Sequence, residues 1–163
     1  MVWHVRDEYI GAPVITDTDT VQKVPLGTRL HAYDPTYGDG EFIYLKGVAS
    51  TVVGSWVTFN PDDFTTSLLA ANDIGPTAVA MSANVASQYG WYQIYGKAIG
   101  KALAGFLDNA NVYATATAGS VDDAVVAGDR VKNCKGASNL DVPGTGLAEF
   151  EIAYPAMDDG LAA

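Results

Sequence analysis

The stretch Tyr89-Gly90-Trp91-Tyr92-Gln93-Ile94-Tyr95-Gly96-Lys97 decides the fold class. Aromatic and β-branched residues dominate it, and such side chains suit a pleated, half-buried strand. Alternation places Tyr89, Trp91, Gln93 and Tyr95 on one face, and Gly90, Tyr92, Ile94 and Gly96 on the other. Glycines set opposite large rings imply that a ring or a neighbouring backbone packs close to the strand.

Upstream, Glu41 to Ala49 (EFIYLKGVA) and Val52 to Phe59 have the same character, the second ending at Asn60-Pro61-Asp62-Asp63. Leu26 to Tyr33 is a shorter strand, closed by the turn Asp34-Pro35-Thr36-Tyr37-Gly38-Asp39-Gly40. Ser67 to Ala71 and Thr77 to Ser82 follow, with Ile74-Gly75-Pro76 between them. Downstream, Asn111 to Thr117 and Gly128 to Asn133 alternate. In Leu147 to Tyr154, Leu147, Glu149, Glu151 and Ala153 form a wet face, and Ala148, Phe150, Ile152 and Tyr154 a buried one. Ala98 to Leu107 has a helical stripe of Ile99, Leu103, Phe106 and Leu107. Gly100 and Gly105 there cost a helix about 1 kcal/mol each relative to alanine, so the piece reads as an irregular or bent strand. About eight to ten short strands at regular spacing argue for an all-β fold, a compact antiparallel barrel or sandwich.

Residues 1–24 differ. The run Val14-Ile15-Thr16-Asp17-Thr18-Asp19-Thr20-Val21 alternates weakly and carries no apolar segment large enough to anchor it. It reads as an extended N-terminal arm, with at most one short strand, ordered by a neighbouring subunit. Residues 25–163 form the β domain, with a frayed tail from Asp158. No internal repeat divides the chain.

The 163 residues fit one domain. Charged residues make up 17%, below the roughly 25% of a typical globular domain. A partner covering part of the surface is the simplest account. Nineteen acids against nine bases give a net charge of −10. The bases are scattered, so nucleic acid is excluded as a direct partner. Cys134 is the one cysteine, which rules out an intrachain disulfide, and it reads as a small strand-end residue. No apolar stretch approaches the ~20 residues of a membrane span. Arg6, Asp7 and Glu8 stand where the apolar core of a leader would be, so the chain is expected to be made and kept in a cytoplasm, away from membranes.

Catalytic signatures are scarce. His4 lies in the arm and His31 in a strand, without a GxSxG, HExxH, Walker or GxGxxG motif. His31 reads as a strand or interface histidine. Asp62-Asp63, Asp122-Asp123 and Asp158-Asp159 read as solvated turn acids, because adjacency does not encode the spacing of a glycosidase pair. Asp17 and Asp19 fall short of a calcium loop. The expectation is a protein that is not an enzyme, with no cofactor and no metal. Trp3, Trp56, Trp91, Tyr92 and Tyr95 offer an alternative, a sugar-stacking platform, although Trp56 and Trp91 read more naturally as core or interface.

Pro25-Leu26-Gly27-Thr28 and the run from Asp34 to Ala49 resemble small structural proteins encoded in tailed-phage genomes. So do the patches Tyr89 to Ala98, Val112 to Gly119 and Ala127 to Val131. The resemblance implies a capsid decoration, or cement, protein: a homotrimer on the outer face of an HK97-type shell, bound to the major capsid protein and bracing neighbouring capsomers. It carries over no catalytic residues. On this expectation Trp3, His4, Tyr9, Ile10 and Val14 of the arm grip the capsid, and Trp91, Tyr92 and Tyr95 form the subunit interface. A tail or fibre component and a glycan-binding β-module are the competing readings.

Overall fold

A computed structural model describes residues 1–6 and 11–157. Their strands are β1 (His4–Val5), β2 (Arg29–Asp34), β3 (Gly38–Lys46), β4 (Trp56–Phe59), β5 (Thr66–Leu68), β6 (Gly75–Ala80), β7 (Tyr89–Lys101), β8 (Asn111–Ala114), β9 (Val121–Asp122), β10 (Arg130–Gly136), β11 (Pro143–Gly144) and β12 (Leu147–Met157). There is no helix among the described residues. Ala98 to Lys101 simply prolong β7, and turns follow.

The expected all-β antiparallel class is what the chain forms. The sheet runs β1-β2-β3-β7-β6-β12-β10-β8-β9, with β4 and β5 appended through β6, and β11 through β12. It does not close into a barrel, because β1 and β9 end the order without pairing each other. It branches instead. One edge of β7 meets β6 at Tyr92 and Gln93, then β12 from Tyr95 to Lys101. β12 leaves β7 beyond Ala153, turns at Tyr154 (φ 55°) and reaches β6 with Ala156 and Met157.

Branching gives the middle of the sheet cover on both faces. Ile43, Leu45, Tyr92 and Ile94 pack against Val57, Ala78 and Ala80 on one side. Leu30, Ala32, Phe42, Tyr44 and Trp91 form a second core on the other. Trp56, Phe106, Val112, Val131 and Phe150 build a third. Trp91 and Tyr92 are therefore only 1% and 0% exposed, which corrects their expected place in a subunit interface. Alternation does send them to opposite faces, but both faces are filled by the chain itself.

The N-terminal segment supplies much of that cover. Ile15 and Val24 are buried in the second core, and Trp3 meets Phe42 edge-on at 4.9 Å. Asp19 and Tyr89 exchange backbone hydrogen bonds of 2.8 Å, and the Trp91 indole donates to the Pro13 carbonyl at 3.1 Å. The segment is thus seated on its own sheet, and the expectation that a neighbouring subunit must order it is corrected. Its anchors lie in short apolar pieces, Val14-Ile15 and Val24-Pro25-Leu26, so no long hydrophobic run announces them. Tyr9, Ile10 and the tail from Asp158 lie outside the described residues.

Candidate functional site

Burial alternates along β2, so Arg29, His31 and Tyr33 face solvent while Leu30 and Ala32 face the core under the N-terminal segment. Register carries the solvent face across the sheet. His31 opposes Glu41, Glu41 opposes Tyr95, and Tyr95 opposes Ala153. One step along, Lys97 opposes Glu151, which opposes Lys135. Cross-strand neighbours of this kind interact directly.

Tyr95 owes its outward position to a bulge. Glu41 pairs with Tyr95 but Phe42 pairs with Gln93, leaving Ile94 as the extra residue. The wholly buried Gln93 fixes the kink, its amide donating to the carbonyls of Tyr95 at 3.1 Å and Lys97 at 3.0 Å. A second irregularity faces it, where the β10–β12 register slips between Lys132 and Cys134. Asn133 there has φ 58°, and Tyr154 across from it has φ 55°. The left-handed turn throws Tyr154 out to solvent, with its ring 5.6 Å from that of Tyr95 and tilted by 37°.

Glu41 anchors the arrangement. It is 5% exposed and accepts hydrogen bonds from the Tyr154 hydroxyl at 2.5 Å and the Arg29 guanidinium at 3.4 Å. His31 Nε2 lies 3.6 Å from the same carboxylate. The bond to Glu41 is the main reason that the Tyr154 hydroxyl is harder to ionise than an ordinary phenol. Further ion pairs line the face: Arg6 with Asp39 at 2.8 Å, Lys97 with Glu149 at 3.0 Å, and Lys135 with Glu151 at 3.1 Å.

Two adjoining depressions result. One of about 760 Å³ is bordered by Tyr37, Tyr95, Lys97, Asn133, Lys135 and Glu151. The other, of about 440 Å³, is bordered by Arg6, His31, Glu41, Tyr95 and Tyr154. Asp39 and Tyr95 line both. Cys134 lies in the wall of the larger, but burial pushes its thiol up to about 12, leaving little nucleophilic thiolate at neutral pH. Among the described residues no cluster of His, Cys, Asp and Glu is spaced to hold a metal ion. What the groove offers is ring faces, paired charges and amide groups, which suit binding.

A second surface lies on the opposite side of β2 and β3. Met1, Val2, Trp3, Val14, Ile15 and Thr16 surround a depression of about 230 Å³. Val2 is 64% and Val14 59% exposed, and the Val2 amide is tied to the Asp34 carboxylate at 2.6 Å.

The structure thus unites two of the expected capsid-gripping residues, Trp3 and Val14. His4 is exposed in β1, paired with Tyr33. Of the three aromatics expected at a subunit interface, Tyr95 alone reaches solvent. Trp56 is likewise buried, so of the sugar platform expected from Trp3, Trp56, Trp91, Tyr92 and Tyr95 only Trp3 and Tyr95 keep any exposure, and they lie on opposite sides of the sheet. Glu41, Tyr37 and Tyr154 escaped the sequence reading. The only local signal was the alternation of Glu149 and Glu151, which marks a wet face but not what lies across it. No family model matches the chain, and no curated protein matches it.

Proposed function

We propose that the protein is a non-enzymatic virion structural protein that binds the outer surface of a tailed-phage capsid and stabilises it, a decoration or cement protein. The observation that carries this reading is the exposed apolar surface of the N-terminal segment, where Met1, Val2 and Val14 ring a depression. Such a cluster on an acidic molecule is surface that gains by being covered. The resemblance of the sequence to tailed-phage structural proteins supports the same reading, and the net charge of −10 favours a place away from packaged DNA.

The physics of a clamp follows. The segment is held on its own sheet before it meets a partner, so binding has less ordering entropy to overcome. In a homotrimer, three tethered contacts with the major capsid protein act together, and avidity exceeds the strength of any one. A ligand that binds only the assembled shell raises the free energy of its disassembly.

The test is cosedimentation with expanded, empty heads. The double variant Val2→Lys, Val14→Lys changes exposed side chains only and should keep the wild-type melting temperature. Its binding should fall by about tenfold or more, a loss of about 1.4 kcal/mol per copy. Wild-type decoration by the variant, or association of the protein with tails in place of heads, would defeat the proposal.

A further inference from the structure

We propose that the groove between Tyr37, Tyr95 and Tyr154 is a binding site for a short neutral oligosaccharide. Apart from Arg6 at its rim, it lies on the face of β2 and β3 opposite the depression ringed by Val2 and Val14, so it can be tested separately from shell binding.

Size is the first argument. Adjoining depressions of about 760 and 440 Å³ both fall within the volumes at which proteins hold small ligands. Ring presentation is the second. Tyr95 and Tyr154 are 45% and 48% exposed, and their rings are mutually tilted at the shared wall. A tyrosine ring gives the C–H face of a sugar an apolar platform and keeps a polar handle at its edge.

Charge favours a neutral ligand. Arg6, Lys97 and Lys135 each have a carboxylate within 3.1 Å, in Asp39, Glu149 and Glu151. An anionic or cationic ligand would have to compete with these pairs. Hydroxyl groups need not, since they can bond to the remaining lone pairs and N–H groups without separating the charges. The same pairs argue against a second copy of the chain here, because the centres of protein interfaces are depleted of charge.

The backbone supplies the fourth argument. Tyr154 holds a left-handed conformation that costs of order 1–3 kcal/mol, as one of eight non-glycine residues with positive φ among the described residues, and Asn133 beside it holds one that asparagine adopts readily. Asn133 borders the larger depression and Tyr154 the smaller, and the Asn133 amide donates to the Tyr154 carbonyl at 3.4 Å, which ties the two walls together.

The experiment is a titration of the full chain, without capsids, by maltotriose, cellotriose and triacetylchitotriose, followed by amide NMR. At least one sugar should bind with a dissociation constant of about 1 mM or tighter and move the amides of Gly96, Lys97, Asn133 and Ala153. Tyr95→Ala should weaken that binding about tenfold while the melting temperature holds, and Tyr154→Phe, which keeps the ring, should weaken it less. The proposal is overturned if none of the three sugars shifts those amides at about 10 mM. It is equally overturned if Tyr95→Ala binds as the wild type does, or if those amides shift with protein concentration alone, which would give the face to a second copy.

Discussion

Tyr44 and Tyr92 come from the same pair of strands and face opposite cores, and their hydroxyls have opposite fortunes. Tyr44 donates to Asp19 Oδ2 at 2.7 Å, and Lys23 holds the other oxygen of that buried carboxylate at 2.6 Å. Tyr92 is buried and its hydroxyl makes no well-formed hydrogen bond, although Thr51, Thr66 and Asn84 lie close enough to interact with it. Tyr44→Phe strips a buried carboxylate of a donor and should cost about 2 kcal/mol. Tyr92→Phe removes a poorly paired polar atom and should be neutral or stabilising. Thermal melts of the two variants distinguish the cases. Burial raises both hydroxyls, Tyr92 up to about 12. The unfolded chain ionises near pH 10 while the folded chain keeps its protons, so the folded state has the raised pKa. The contribution of each tyrosine should therefore be flat below about pH 10 and fall between 10 and 12, by at most about 1.4 kcal/mol per pH unit, on top of a fall that the buried Cys134 thiol starts near pH 9. Melting temperature against pH reads this directly, and Tyr92→Phe should flatten the slope.

Among the elements, β7 shows what sequence can and cannot reveal. Gly90 and Gly96 pointed to close packing, and an added Cβ would sit 2.4 Å from the Asn84 side chain and 2.3 Å from the Asp39 carbonyl; Gly100, which the sequence marked only as a poor helix residue, is as tight, 2.5 Å from Trp56 Nε1 and 3.1 Å from Phe150. Both rings are wholly buried, so neither has room to yield. Gly100→Ala should cost about 1–3 kcal/mol in a denaturant melt. The main strands were legible because alternation and turn residues are local signals. β1, β9 and β11 have two residues each and exist only through distant pairing, so no local pattern marks them. Tyr154 was misplaced for a related reason. Alternation groups it with Phe150 and Ile152, but its left-handed φ breaks the period and turns it outward. That is why the smaller depression, with Tyr154 in its wall, was invisible in the sequence. Residues 1–24 were underrated because Val14-Ile15 is only a two-residue apolar step before a run of threonines and aspartates. With 2% exposure in the second core, Ile15→Ala should cost about 2–5 kcal/mol, whereas a segment that hung free would show no change.

At the scale of the whole molecule, the sheet separates two surfaces that ask for different partners. The N-terminal segment covers the Leu30, Phe42 and Trp91 side and exposes Val2 and Val14. Arg29, His31, Glu41 and Tyr95 occupy the other side, where charge and ring edges need water or a polar ligand. A shell seated on the first surface leaves the second pointing outward. Hydrogen exchange on decorated heads, compared with the free protein, tests this orientation. Amides of residues 1–6 and 11–16 should exchange more slowly on the shell, through cover added to a local opening equilibrium. Amides of residues 95–97 and 151–154 should keep their free rates. Protection of the Tyr95 and Tyr154 region with no change near Val14 would reverse the molecule on its shell and make the groove the capsid contact.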